Sequence, residues 1–333
     1  MGKLKVFEAF AGIGAQRMAL RNIGVDFEVV GISEIDKFAI KSYEAIHGEC
    51  PNYGDISKIN PKNLPNIDLF TYSFPCQDLS VAGKQEGIVK GKTRSGLLYE
   101  CEKIIEAKKP KYLLLENVKN LIGKRHKQDF DNWLKYLENL GYTNYYKVLN
   151  AKDFGIPQNR ERVFCISILG KHTPYTFPSF IPLTKNIKDI LEYKIDNKYY
   201  LSDEKVKNMK IKIPIRLNEI KKVGNINPSG NGMNGDVFDA NGISPALTRC
   251  GIVKISLPYV HINKDNKLLT EQVKHKVRRL TPRECFRLMG VNDKDVDKVK
   301  KANISNSQQY KQAGNSIVVP VLESIFKELF ING

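Results

Sequence analysis

Residues 3–15 read KLKVFEAFAGIGA, an apolar run that ends at Phe10 and breaks into two glycines, Gly12 and Gly14. The run reads as a strand, and the glycines turn the chain into a helix over Gln16 to Ile23. The unit repeats down the first half. FEVVGISE (27–34) is a second strand, followed by a helix around Lys37 to Ile46. IDLFTYSF (67–74) and KYLLLEN (111–117) are further strands, with a helix from Gly96 to Ala107 between them. Phe130 to Leu140 is a helix and VFCISIL (163–169) another strand. Such alternation, with strands apolar nearly throughout, predicts an α/β fold whose mostly parallel sheet is covered on both faces. Ligands of such sheets bind beyond the C-terminal ends of the strands, where Gly12, Glu34, Cys76 and Glu116 all fall.

After about Lys171 the pattern changes. Long periodic helices give way to short strand-like pieces among Asn, Gly and Pro, as in GNINPSGNGMNGDVFDANGISPALTRCGIVKI (224–255). Helical patterning returns with TPRECFRLMG (281–290), and GNSIVVPVLESIFKELF (314–330) is apolar at helical spacing. The expected division is a large domain over 1–172, completed by 305–333, and a smaller loop-rich domain over 173–304 that includes RRLTPRECFRLMG (278–290).

The 333 residues suit one large and one small domain. Lys and Arg number 53 against 36 Asp and Glu, a formal net charge of +17. That excess fits either a solvated lysine-rich surface or a polyanionic partner, of which nucleic acid is the commonest. No apolar run approaches the length of a membrane span, and the chain enters its first strand without a cleavable signal. The six cysteines are scattered with no Cys-x-x-Cys pair, which argues against a zinc site and for reduced thiols in a cytosol. The expectation is a cytoplasmic, monomeric protein without a metal.

Gly12 and Gly14 let the backbone approach a ligand, and the helix that follows presents free N–H groups. A plain tight turn explains the glycines equally well. The third glycine of a dinucleotide fingerprint is replaced by Arg17. Glu34, 20 residues after Gly14, can accept ribose hydroxyls. Asp55, in YGDI at the end of an expected extra strand, is either a turn residue or an acceptor for an adenine amino group. A nucleoside without a required pyrophosphate points to S-adenosyl-L-methionine over NAD.

Cys76 follows Pro75, which ends a strand and forces the chain outward. A cysteine there is either inert packing or a nucleophile. Glu116, in LLLENV, emerges from the neighbouring strand at the same edge, and a buried carboxylate beside a thiol is costly unless used.

With these residues the chain resembles the DNA (cytosine-5) methyltransferases of bacterial and phage restriction–modification systems. The family's motifs stand in order: FAGIG (10–14), PCQDLS (75–80), ENV (116–118), QNRERVF (158–164), RRLTPRECFRLMG (278–290) and QAGNSIVVPV (312–321). The resemblance implies a Rossmann-like catalytic sheet and a target recognition domain. It also implies transfer of a methyl group from S-adenosyl-L-methionine to C5 of a cytosine flipped out of double-stranded DNA, leaving S-adenosyl-L-homocysteine.

Cys76 would add to C6 of the ring, Glu116 would protonate or hydrogen-bond N3, and Arg162 would hold O2. Arg160 is a further candidate for that pocket, and Asn117 for positioning the cysteine loop. Phe10, Ala11, Gly12, Ile13, Gly14, Glu34, Ile35, Asp55, Ile56, Pro75, Leu97, Asn315 and Ser316 would line the cofactor site. Many relatives place an aromatic ring where this chain has Ile35.

Residues 77–94 are rich in glycine and lysine, and the resemblance makes Ser80, Lys84 and Arg94 candidate DNA contacts. Two glycine-rich loops, Asn227 to Asp236 and Ala246 to Lys254, match where relatives read bases in the major groove. Met233 or Asn234 would fill the hole left by the flipped cytosine, and Arg249 would contact guanine. Ala246 replaces a threonine usual in relatives. A cognate restriction endonuclease is a partner the resemblance allows. The alternative is a tRNA cytosine-5 methyltransferase, disfavoured because no Cys-Phe-Thr tripeptide occurs.

Overall fold

The computed structural model describes residues 2–75, 94–207, 209, 219–249, 251–259 and 274–332. In chain order the first elements are β1 (Leu4–Ala9), α1 (Ala15–Asn22), β2 (Phe27–Ser33), α2 (Lys37–His47), β3 (Leu69–Tyr72), α3 (Leu98–Lys108), β4 (Tyr112–Val118), α4 (Lys127–Asn139), β5 (Tyr142–Asn150), β6 (Gln158–Asn159) and β7 (Glu161–Leu169). Then come α5 (Asp203–Lys207), β8 (Lys222–Asn225), β9 (Asp236–Asp239), β10 (Ser244–Pro245), β11 (Lys254–Tyr259) and β12 (Lys274–Arg279). The chain closes with α6 (Pro282–Arg287), α7 (Asp293–Lys301), α8 (Asn306–Asn315) and α9 (Val319–Phe330).

Six strands form the main sheet in the order β2-β1-β3-β4-β7-β5. β1 to β4 pair in parallel, while β7 runs antiparallel to both of its neighbours. Successive strand residues feed opposite cores. Val6, Leu69 and Leu114 face one apolar cluster with Met18 of α1 and Ile325 of α9; Phe7, Phe70 and Leu113 face another with Ile104 of α3 and Trp133 of α4. Burial on both faces is what makes these strands read as continuous apolar runs.

The strand expected before Asp55 does not form. Asn52 makes a single bridge to Ile32, and Pro51 and the left-handed Gly54 (φ 69°) leave no run of extended residues to pair. Asp55 instead begins a short 3-10 turn, its carboxylate accepting from the Ser57 amide at 3.0 Å and the Ser57 hydroxyl at 2.8 Å.

A second sheet, β12-β11-β9-β8, has its own small cluster of Met209, Val223, Val237 and Val277. Two helices expected within the smaller domain share a core with the main sheet. α6 and α7 bury Phe286, Val296 and Val299 in the same cluster as Val6 and Met18. Arg21 of α1 pairs with Asp295 of α7 at 2.5 Å, and Lys298 donates to the Ile46 carbonyl at 2.9 Å.

Arg278 fastens the two parts. Only 1 % exposed, it meets the Glu284 carboxylate through both terminal nitrogens at 2.7 Å. Glu284 also closes the capping box of α6 with Thr281 and accepts the Glu192 amide at 2.8 Å. Glu284→Ala leaves Arg278 buried without its counter-charge and should cost about 3–5 kcal/mol. Urea unfolding checks this, with Arg278→Met/Glu284→Leu expected to lose much less than the single variant.

Candidate active site

The C-terminal edge of the main sheet begins with a left-handed corner. Phe10, Gly12 and Gly14 have φ of 56°, 57° and 77°. A non-glycine residue held at positive φ is unfavourable, and strain of this kind concentrates at functional sites. Two bonds hold Phe10 there: its amide donates to the Ser33 carbonyl at 2.8 Å, and the Ala11 amide donates to the same oxygen at 3.3 Å. Gly14 begins α1 with no side chain capping the helix. A Cβ on Gly14 would stand 2.5 Å from His47 Nε2, so the position has no room for one. A Cβ on Gly12 would meet nothing within 4 Å.

Glu34 emerges beside this corner at the end of β2. One carboxylate oxygen accepts the Gly12 amide at 2.9 Å, and the other accepts the Ile35 and Asp36 amides, both at 2.8 Å. A carboxylate offers about four acceptor positions, so the oxygen that accepts Gly12 keeps capacity for a further donor. Ile35 lies next to it, 73 % exposed, and Ile56 is buried. The C-terminal segment reaches the same corner: Lys311 pairs with Asp36 at 2.5 Å, and the Gln312 side chain spans the Phe38 carbonyl and the Ser42 hydroxyl. Asn315 and Ser316 follow at the end of α8.

Glu116 stands near the end of β4, 7 % exposed, with Arg162 Nε 3.3 Å from its carboxylate. Burial pushes its carboxyl above the usual carboxylate range. The charges of Arg162 and Arg160 and a hydrogen bond with Ser73 oppose that shift without cancelling it. The next residue, Asn117, donates to the Phe74 carbonyl at 3.1 Å. That bond ties the end of β4 to the chain that carries Pro75 toward Cys76. Cys76, Ser80 and Lys84 lie outside the described residues, as does the side chain of Arg94. The Arg94–Leu97 turn itself leads into α3.

Arg160 does not take the place expected in the base pocket. It is almost fully buried, with one terminal nitrogen donating to the Leu247 carbonyl at 2.8 Å and the other to the Gly314 and Ser316 carbonyls, both at 2.9 Å. Gln158, to which no role was given, is fully buried beside it, accepting the Leu247 amide at 2.9 Å and donating to the Leu288 carbonyl at 2.7 Å. Its only sequence signal was its place in QNRERVF. In the second sheet Met233 and Asn234 form an exposed tip, with Met233 85 % exposed. Asn234 is braced there by Asn227 at 2.9 Å. Arg249 is exposed on the loop after β10.

An α/β sheet with a glycine corner at β1, an acid at the end of β2 and a buried glutamic acid beside an arginine at β4 defines a methyltransferase-like active edge. The family described as C-5 cytosine-specific DNA methylase matches residues 4–331, and the chain belongs to it. It is a DNA (cytosine-5) methyltransferase. Type II methyltransferase M2.ScrFI of Lactococcus lactis subsp. cremoris is 43 % identical, with 98 % of this chain and 99 % of that protein covered. Orphan methyltransferase M.SPRI of Bacillus phage SPR is 36 % identical, with 99 % and 98 % covered. The S. pombe Dnmt2 methyltransferase structure shares the fold at a TM-score of 0.71 and 21 % identity, over 98 % of this chain and 97 % of that one.

Arg162 holds the Glu116 pKa down against burial. Arg162→Gln removes that charge, so the carboxyl should keep its proton to higher pH. A group that works protonated is active below its pKa and lost as pH rises through it. The alkaline limb of kcat against pH should therefore move to higher pH while its maximum falls. Initial methylation rates across pH check this, and an unmoved limb would separate the two side chains.

Proposed function

We propose that this chain methylates C5 of a cytosine flipped out of a specific double-stranded DNA sequence, with S-adenosyl-L-methionine as donor and Cys76 as the transient nucleophile. The observation that carries the reading is the protonation-prone Glu116 beside Arg162, one residue from the Asn117 side chain that holds the approach to Cys76.

The residues present fit the cofactor. Gly12 opens on free space, Glu34 retains acceptor capacity, and Ile35 offers an exposed apolar face to a purine. Phe10, Ala11, Ile13, Gly14, Asp55, Ile56, Pro75, Leu97, Asn315 and Ser316 would complete its surroundings. When bound, the cofactor supplies an electrophilic methyl group on a sulfonium sulfur.

C5 of cytosine is too weak a nucleophile to take that group unaided. Addition of the Cys76 thiolate to C6 forms a carbon–sulfur bond, and Glu116 gives its proton to N3, so the ring becomes an enamine with electron density at C5. Arg162 stabilises the charge that gathers at O2. Once C5 carries the methyl group, its proton leaves to solvent, the carbon–sulfur bond breaks to release the Cys76 thiolate, and N3 returns its proton to Glu116, which restores the aromatic ring. Met233 or Asn234 would occupy the space left in the duplex, and Arg249 would read a guanine, with Ser80, Lys84 and Arg94 on the DNA beside the flipped base. The net charge of +17 suits a duplex partner. A cognate endonuclease recognising the same site, and a monomeric cytoplasmic enzyme, belong to this reading.

A duplex with 5-fluorocytosine at the target should trap a covalent complex, because fluorine cannot leave as a proton does. Denaturing electrophoresis should show the complex with the native chain and none with Cys76→Ala; an adduct in the variant would move the nucleophile elsewhere. Glu116→Gln should bind the duplex normally yet transfer methyl groups about 10²–10⁴-fold more slowly.

A further inference from the structure

The loop that carries Arg249 is rooted on the catalytic side of the molecule. Its second residue, Leu247, is held at both backbone groups: the amide by Gln158 at 2.9 Å and the carbonyl by Arg160 at 2.8 Å. Those two side chains flank Asn159, and Arg162 follows two residues after Arg160 at the start of β7. Arg160 also ties the same point to α8 through the Gly314 and Ser316 carbonyls.

Gly314 completes the junction by having no side chain. A Cβ there would stand 2.4 Å from the Thr248 oxygen, 2.5 Å from the Thr248 carbonyl carbon and 2.8 Å from the Arg249 nitrogen. All three are backbone atoms, so no rotamer change relieves the contact. Gly314 lies within the helix α8 and is not among the residues at positive φ. Space, not backbone angle, demands glycine.

We propose that Gly314 is a specificity-determining residue: it seats the Thr248–Arg249 backbone against α8, so that Arg249 meets the duplex at a fixed distance from the strand that carries Arg162. This rests on the reading of Arg249 as a base contact. With a Cβ at 314 the loop must move outward, while Glu116 and Arg162 are held within β4 and β7. Displacement of about 1 Å is enough to cost on the order of 10²-fold in a positioned reaction. Here that cost falls on the correct sequence, whose base contacts need the native position, and much less on sequences that never made those contacts.

The target site is read first from 5-methylcytosine positions in the genome of an expression host. Gly314→Ala and the native chain are then compared on that duplex and on duplexes with one recognition base changed. The variant should still trap 5-fluorocytosine on the target duplex, while its kcat/KM ratio between target and changed duplexes falls at least tenfold. A generally weakened fold would lower both rates together and leave the ratio intact, so an unchanged ratio overturns the proposal. If Gly314→Ala does not fold, Arg160→Lys serves in the same assay. A single ammonium cannot reproduce the forked contact to three carbonyls, and an unchanged ratio there is equally decisive against the idea. No adduct from the native chain on any duplex would defeat the functional reading instead.

Discussion

Glu116 sits where burial and a neighbouring cation oppose each other, with Arg162 Nε 3.3 Å away and water largely excluded. Desolvation favours the neutral acid and the guanidinium favours the anion; burial is the stronger influence. A carboxyl in that balance can both release a proton and recover it. The surrounding structure follows from holding the balance. The sheet supplies the dry floor, β7 supplies the cation, and Asn117 keeps the chain leading to Cys76 against the end of the same strand.

Glu8 on β1 shows that burial alone does not make such a group. It is fully buried and its carboxyl is pushed up to about 7, mainly by desolvation. Its partner is the Tyr43 hydroxyl at 2.6 Å, within a network that includes Arg17 and His47. Burial drives His47 down to about 3, so its ring is neutral and Nε2–H donates to the Ile13 carbonyl at 3.0 Å. This network braces the glycine corner from below. Glu8 is sealed off and bonded to Tyr43, whereas Glu116 keeps 7 % exposure and faces Arg162.

Much of this was legible in the sequence because it is written in local chemistry. The apolar runs at 4–9, 27–33, 69–72 and 112–118 are strands, and the helices between them begin and end within a few residues of the expected positions. β5 went unnamed because YTNYYKVLN is half polar and sits at the sheet edge. Asp55 misled because its segment has the composition of a strand end, yet Pro51 and Gly54 interrupt pairing. Arg160 and Arg162 look alike in QNRERVF, and only the fold separates the one that binds three carbonyls from the one that faces Glu116. The placement of α6 and α7 was hidden for a related reason, since amphipathic helices announce that they pack but not against what.

The separation of those two arginines follows from the reversal of β7. In a wholly parallel sheet the beginning of a strand lies far from the active edge. Because β7 runs against β4, its first residues arrive beside the last residues of β4: Val118 pairs with Arg162 and Glu116 with Phe164. Arg162 is thus diagonal to Glu116 on the same sheet face, close enough for a long side chain to reach the carboxylate. Arg160, two residues earlier, has already passed the end of the sheet, where β6 meets β10 and the C-terminal segment returns. One antiparallel strand therefore delivers one arginine to Glu116 and the other to the joint that holds the loop carrying Arg249.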